Sequence, residues 1–133
     1  DVPFGIPNIM PTLLDLVGAP VPDGVEGMSF AKHILGKAEA PSEASLFGCY
    51  VPFANYAYDN GGREYRGVRT SRYTYVRDLE GPWLMYDNEA DPYQLENLCN
   101  RSEMRAIQTH LEGVLSDLLK EQNDTFATGQ ELL

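Results

Sequence analysis

The side chains of this chain that could carry chemistry are two cysteines, two Asp-Asn pairs, a helical histidine and a cluster of arginines and tyrosines. Cys49 lies in Phe-Gly-Cys-Tyr-Val and Cys99 in Asn-Leu-Cys-Asn-Arg. Neither belongs to a CxxC or other metal-ligand spacing. Their apolar neighbours predict buried free thiols. Asp59-Asn60 and Asp87-Asn88 read as turn residues, and calcium takes about 6–8 oxygens, more than such pairs supply. His33 has no carboxylate or cysteine four residues away, so it reads as a surface or half-buried helical histidine rather than a catalytic one. No catalytic residue and no metal site is assigned within the chain. What remains is an irregular loop over residues 52–62, followed by Arg63, which offers Asn55, Tyr56 and Tyr58. Long loops inside compact domains are uncommon and often functional.

The elements that must position this loop lie on either side of it. Residues 45–51 alternate as a strand, with Leu46, Phe47, Cys49 and Tyr50 fitting a half-buried run. From Tyr65 a second alternation begins. With Ser71-Arg72 as its turn, Thr70 faces Tyr73, Val68 faces Tyr75 and Arg66 faces Arg77, so Val68, Tyr73 and Tyr75 share a face. Gly81-Pro82 signals a turn before a third run, Trp83-Leu84-Met85-Tyr86-Asp87. Asp91-Pro92 then turns the chain, and Leu95 and Leu98 are expected to pin a short segment against the core. A meander of strands about 5–6 residues long needs a cover. Residues 102–122 supply it as a helix: Met104, Ile107, Leu111, Val114, Leu115, Leu118 and Leu119 fall on one face, while Glu112 and other charges lie elsewhere. Ser102 is the expected cap.

The first 36 residues read differently. Asn8 can cap a helix from Ile9, with Pro11 in its first turn and Gly18 as its stop. Ile9, Thr12, Leu13, Leu16 and Val17 recur at helical spacing. After a turn-rich link over residues 19–27, Ser29 caps a short helix over residues 30–35 that Gly36 ends. Residues 37–44 are polar and form a linker. The expected organisation is a helical segment at 1–36, the linker at 37–44 and a domain at 45–133. The fold class is α+β: a small antiparallel sheet of about four strands on a long C-terminal helix, preceded by short N-terminal helices. Asn100-Arg101-Ser102 and Asn123-Asp124-Thr125 match the glycosylation acceptor triplet, a pattern that arises often by chance. The tail after residue 122 has no pattern of its own.

Two stretches carry a family resemblance. Tyr-Arg-Gly-Val-Arg-Thr-Ser-Arg-Tyr-Thr-Tyr-Val (residues 65–76) and Leu-Met-Tyr-Asp-Asn-Glu-Ala-Asp-Pro-Tyr-Gln-Leu-Glu-Asn-Leu (84–98) resemble the hairpin and Asp-Pro segment of the C-terminal subdomain of sulfatases, within the alkaline-phosphatase-like superfamily. Thr74 stands where that pattern has Lys, and Gln94 where it has Glu; both read as surface positions. Ile9-Met10-Pro11-Thr12-Leu13-Leu14-Asp15-Leu16-Val17-Gly18 and Pro22-Asp23-Gly24-Val25-Glu26-Gly27 are similar to the segment that closes the large sulfatase domain. The resemblance implies a C-terminal piece of a sulfate-ester hydrolase, starting at Asp1 inside a motif. It implies a formylglycine, made in a C/S-x-P-x-R motif, and a calcium ion in the full-length enzyme. Cys49 has Pro at +3 but no arginine follows, so neither is expected in this chain. The missing N-terminal catalytic domain is the implied partner, a sulfated small molecule or sugar the implied substrate, and a periplasmic or secreted parent fits.

Within that frame the loop becomes the substrate rim, with Asn55, Tyr56, Tyr58 and Arg63 as its residues. Arginine forks suit sulfate or carboxylate groups, and tyrosines suit sugar rings. Arg63, Arg66 and Arg69 could equally pair with acidic neighbours. Phosphodiesterases and phosphonate hydrolases of the same superfamily, or a stand-alone binding or assembly module, are the competing readings; an upstream C/S-x-P-x-R motif supports the enzyme reading, and a different N-terminal domain supports the module.

The bulk properties set the outer bounds. At 133 residues the chain is one domain's worth. Folding at that size buries roughly two-thirds of its surface. Twenty acidic residues against ten basic ones give a net charge of −10, which argues against a nucleic-acid or anionic-membrane partner. No apolar run approaches the roughly 18 residues of a membrane span. The apolar N-terminal helices, cut from their large domain, are expected to drive the isolated fragment into a two-fold dimer.

Overall fold

The computed structural model of the chain describes residues 2–132; Asp1 and Leu133, the outer ends of the expected 1–36 and 45–133 segments, lie outside the described residues. In chain order the elements are α1 (Ile9–Leu16), α2 (Ala31–Ile34), β1 (Ala44–Cys49), β2 (Tyr65–Thr70), β3 (Tyr73–Asp78), β4 (Gly81–Asp87), α3 (Arg105–Glu121) and α4 (Gly129–Leu132), with 3-10 turns between them. They fall into two compact units, Asp1–Ser45 and Leu46–Leu133.

In the first unit α1 follows a 3-10 turn at Ile6–Asn8. Asn8 does not cap it; its amide oxygen accepts the Met28 N–H at 2.8 Å and ties the link after α1 back to its start. Buried Thr12 accepts the Phe30 N–H at 2.9 Å. The Ser29 hydroxyl donates to Asp15 at 2.6 Å and accepts the Ala31 N–H at 3.2 Å. A Cβ at Gly27 would lie 1.9 Å from the Pro7 carbonyl oxygen, so only glycine lets these segments meet. Ile9, Leu13 and Leu16 of α1 and Val17 at its end remain exposed, as do Ile34 and Leu35.

The second unit is an α+β fold. Its four-stranded antiparallel sheet has the order β1-β2-β3-β4. The β2–β3 register is the one the alternation predicts, with Val68 opposite Tyr75 and Arg66 opposite Arg77. Met85 of β4 lies opposite Tyr75. Val68, Tyr75 and Met85 are fully buried on the face that α3 covers. The β3–β4 turn falls one step earlier than Gly81-Pro82 suggested. Asp78 accepts the N–H groups of Glu80 and Gly81 at 2.9 and 3.1 Å, so its side chain makes the turn and β4 begins at Gly81. The register shift between Val76 and Arg77 absorbs the extra residue.

The free edge of β4 is closed by side chain as much as by backbone. Asn97 accepts the Met85 N–H at 3.0 Å and donates to the Trp83 carbonyl at 3.0 Å, and the Leu98 N–H donates to the Met85 carbonyl at 2.8 Å. Leu95 takes no part, being 85% exposed, so the anchor is Asn97-Leu98 rather than Leu95 and Leu98.

α3 buries Leu111, Leu115 and Leu119, with Ile107, Val114 and Leu118 half-buried beside them. A 3-10 turn at Ser102–Met104 leads into it, and the Ser102 hydroxyl bonds Glu103 rather than capping the helix. The C-terminal ends of α1, α2 and α3 close alike. After α1, Gly18 is left-handed (φ 72°) and the Ala19 N–H reaches the Leu14 carbonyl; after α2, Gly36 (φ 67°) is followed by Lys37 N–H to the Lys32 carbonyl. After α3 the left-handed residue is Asn123 (φ 53°), with Asp124 N–H to the Leu119 carbonyl at 2.9 Å. The Asn-Asp-Thr triplet thus ends the helix and turns Asp124 back to the sheet.

Glu112 corrects the expectation that it lies away from the sheet. It accepts the Tyr75 hydroxyl at 2.5 Å and pairs with Arg77. Truncating a buried Leu costs about 2–5 kcal/mol, and stranding a buried hydroxyl costs about 1–3 kcal/mol. In urea unfolding Leu111→Ala is therefore expected to lose the larger amount and Glu112→Ala the smaller but clear amount. A Glu112→Ala chain as stable as wild type would contradict the bridge.

Candidate functional site

The loop between β1 and β2 is not irregular. Two 3-10 turns, Ala54–Tyr56 and Tyr58–Asn60, fold it on itself. Ala54 and Gly61 take positive φ values of 52° and 82°. A Cβ on Gly62 would lie 1.7 Å from the Tyr56 carbonyl oxygen, so glycine there lets the loop close.

The four expected rim residues do not share one role. Asn55 is exposed. Tyr56 packs edge-on against Tyr65, ring centroids 6.4 Å apart, and keeps part of its ring in solvent. Tyr58 donates its hydroxyl to the Glu64 carboxylate, which pushes its own ionisation up to about 12. Arg63 pairs with Asp78 at 2.8 Å and lies over the Trp83 ring at 4.7 Å, and the Asp78 bond raises its already high pKa. Asn55 and part of the Tyr56 ring are thus exposed, while the polar groups of Tyr58 and Arg63 are engaged within the chain.

Behind the loop stands a buried polar cluster. Arg66, fully buried, pairs with Asp124 at 2.6 Å. Its other nitrogens reach the carbonyls of Cys49 at 3.4 Å and Ala127 at 3.3 Å. The guanidinium is sandwiched between Tyr50, 3.7 Å from the ring centre, and Phe126, at 4.7 Å. Glu64, two residues earlier on the strand's approach, accepts the Gly129 N–H at 3.0 Å as well as the Tyr58 hydroxyl. Arg66 thus holds the tail, and Glu64 ties the tail to the loop. Sequence patterning pointed to neither Glu64 nor Asp124. The available signal was a pair of opposite charges, Glu64 and Arg66, entering a strand on the face that carries Val68.

Both acids are held in their charged form. The Tyr58 hydroxyl, and behind it the Gly129 N–H, keep the Glu64 carboxyl below the usual range. Burial alone would raise Asp124, but Arg66 and the Phe126 N–H together hold it low. The two cysteines are free and half-buried, and burial pushes both thiols up, so neither is a ready nucleophile. His33 is half-buried and its ring lies 3.3 Å from the Ala38 carbonyl. Among the described residues no group of three or more His, Cys, Asp or Glu side chains could hold a metal ion, and no helix is long and apolar enough to cross a membrane.

Residues 6–121 match the family model of the N-sulphoglucosamine sulphohydrolase C-terminal domain. The chain is 37% identical over 126 residues to an ulvan-active sulfatase of Formosa agariphila, covering 95% of this chain and 24% of the relative. A solved structure from Bacteroides thetaiotaomicron, described under the metabolism of multiple glycosaminoglycans, superposes with a TM-score of 0.71 at 28% identity, over 94% of this chain and 28% of that one. A phosphonate monoester hydrolase of Agrobacterium radiobacter shares the fold at 22% identity, with a TM-score of 0.64 over 86% of this chain and 24% of that one. The chain spans about a quarter of the length of the curated relatives it matches.

The cluster makes a pH prediction. Asp124 and Glu64 have folded-state pKa values below their unfolded ones. Their contribution is therefore fully present above about pH 5 and is lost as pH falls through about 4 toward the lowered values. Asp124→Asn leaves the Arg66 charge buried without a partner, which costs about 3–5 kcal/mol. At neutral pH this variant should be destabilised by that order, and its stability should fall less than wild type's between pH 5 and 3. Parallel acid profiles would remove Asp124 from the account.

Proposed function

The chain belongs to the family of sulfatase C-terminal domains represented by N-sulphoglucosamine sulphohydrolase, and from that premise we propose that the full-length protein hydrolyses a sulfate monoester carried on an acidic carbohydrate. The family match over residues 6–121 carries this reading. It is supported by the ulvan-active sulfatase at 37% identity and by an N-acetylglucosamine-6-O-sulfatase at 26%. The likeness to phosphonate hydrolases speaks for the fold alone.

In this reading the chain contributes the substrate rim rather than the reaction centre. Asn55 offers an amide donor and acceptor, and Tyr56 a ring face, at the loop's exposed surface. Tyr58, Arg63, Glu64 and Arg66 are positioning residues that hold the loop against β2 and the tail. The calcium ion and formylglycine that the family implies do not fit this chain. No metal-holding cluster exists among the described residues, and Cys49 lacks the x-Pro-x-Arg that follows a formylglycine precursor. Both belong, in this proposal, to the upstream part of the full-length protein.

The test compares the two forms. The isolated chain should not hydrolyse a chromogenic aryl sulfate above background, whereas the full-length protein should release sulfate from a sulfated oligosaccharide. In the full-length protein Asn55→Ala or Tyr56→Ala should raise KM for the oligosaccharide by roughly tenfold, the loss of about one hydrogen bond or stacking contact, and should change a small aryl sulfate less. Chelator-insensitive turnover by the isolated chain, or phosphonate hydrolysis without sulfate release by the full-length protein, would overturn the reading.

A further inference from the structure

The loop between β1 and β2 carries no free cation. From residue 38 to residue 62 the sequence has neither lysine nor arginine. Arg63, at its end, is paired with Asp78 at 2.8 Å. Asp59 is exposed on the second 3-10 turn, and among the described residues no cation pairs with it. Backbone donors are also taken: the N–H groups of Tyr56, Ala57, Asn60, Gly61 and Gly62 all donate to carbonyls within the loop. A surface with one free carboxylate and no free donor nest repels a sulfate or a carboxylate.

What the loop offers instead is an apolar ring. Phe53 is 75% exposed, although Pro52 just before it is buried. Among the described residues no other ring packs against it. Its carbonyl accepts the Tyr56 N–H at 3.0 Å. Ala54, next in the chain, takes a φ of 52°, a left-handed value uncommon for a residue with a Cβ. The backbone is therefore fixed on both sides of Phe53, and farther along the loop Tyr58 is anchored by Glu64. Strained backbone of this kind persists where a site needs it. Here it holds a bare ring in water, with the exposed amide of Asn55 two residues on.

We infer that Phe53 stacks on the uncharged face of the sugar ring next to the sulfated one, and that Asp59 turns away a neighbour carrying a carboxylate or sulfate. The inference rests on the reading that this loop is the substrate rim, and it names the substrate class within that reading: a sulfated sugar linked to a neutral one. The C–H face of a neutral sugar suits an aromatic ring, and its hydroxyls suit the Asn55 amide and the Asp59 carboxylate. A hexuronate in the same place would bring its carboxylate to a loop whose free charge is already negative, with no lysine or arginine to offset it. The acidic groups of the carbohydrate then lie on rings away from this loop.

Kinetics of the full-length protein on two sulfated disaccharides test it. The pair shares its sulfated sugar and differs in the next ring, a neutral hexose or a hexuronate. The wild type should have a KM about tenfold lower for the neutral one, the gain of one stacked ring. Phe53→Ala should erase that advantage by raising KM for the neutral disaccharide, with kcat kept. Phe53→Trp should preserve it, and Phe53→Leu, apolar but without a flat face, should not. Asp59→Lys should lower KM for the hexuronate by about fivefold, as the exchange of a repulsion for an attraction in water predicts. The melting temperature of full-length Phe53→Ala should match the wild type. Equal KM values for the wild-type pair, or a preference for the hexuronate, would overturn the inference. So would full rescue by Phe53→Leu, or a lowered melting temperature in Phe53→Ala, either of which would mean that Phe53 is buried against another part of the protein. Absence of sulfate release from both disaccharides contradicts the proposed reaction alone. Titration calorimetry with the same pair then decides on Phe53: tighter binding of the neutral disaccharide that Phe53→Ala abolishes supports the inference, and equal affinities contradict it.

Discussion

The second unit is organised around a guanidinium taken out of water. Arg66 lies opposite Arg77 in the hairpin, on the face that must be buried. Two like charges at adjacent sheet positions, one of them with no exposure, are tolerable only if each is neutralised on the spot. The structure draws one acid from each of two segments. Asp124 comes from the turn after α3 and meets Arg66; Glu112 comes from α3 itself and meets Arg77. Phe126 lies beside both guanidinium groups, 4.7 Å from Arg66 and 5.7 Å from Arg77.

That requirement reaches the candidate rim. For Asp124 to arrive, α3 must stop at a left-handed Asn123 and reverse. Once it has, the tail continues past Ala127, whose carbonyl also accepts from Arg66, to Gly129, whose N–H donates to Glu64. Glu64 in turn holds Tyr58. The loop is thus tied, through Glu64 two residues beyond its end, to the tail that Arg66 holds in place. A loop built this way is pre-organised: its Tyr58 side chain shares Glu64 with the tail before any ligand is present.

Local rules made much of this legible from residues alone. The hairpin register follows from a two-residue connection and strict alternation, and the α3 stripe from Leu111, Leu115 and Leu119 at four-residue spacing. Gly18 and Gly36 stop helices as glycines do. What escaped depends on partners distant in sequence. Asp78 moved a turn that Gly81-Pro82 advertised, because a side chain can make the turn first. Ser102 and Asn8 have the right chemistry for caps but found other partners. Glu112 looked like surface charge until the sheet placed Tyr75 and Arg77 beneath it. Of the candidate rim residues, all four keep exposed surface, but Tyr58 and Arg63 are engaged by Glu64 and Asp78. Thr74 and Gln94 looked like unrelated surface changes and proved to be one contact.

Amide hydrogen exchange on Arg66→Met tests the central dependence most directly. If Arg66 holds tail and loop together, the amides of Phe126 and Gly129 and those of the loop over residues 54–62 should lose protection in concert. The hairpin amides around Val68 and Tyr75 should keep theirs, because their ladder does not run through the guanidinium. Loss confined to the tail, with the loop as protected as in the wild type, would contradict the claim that one buried charge sets the shape of both.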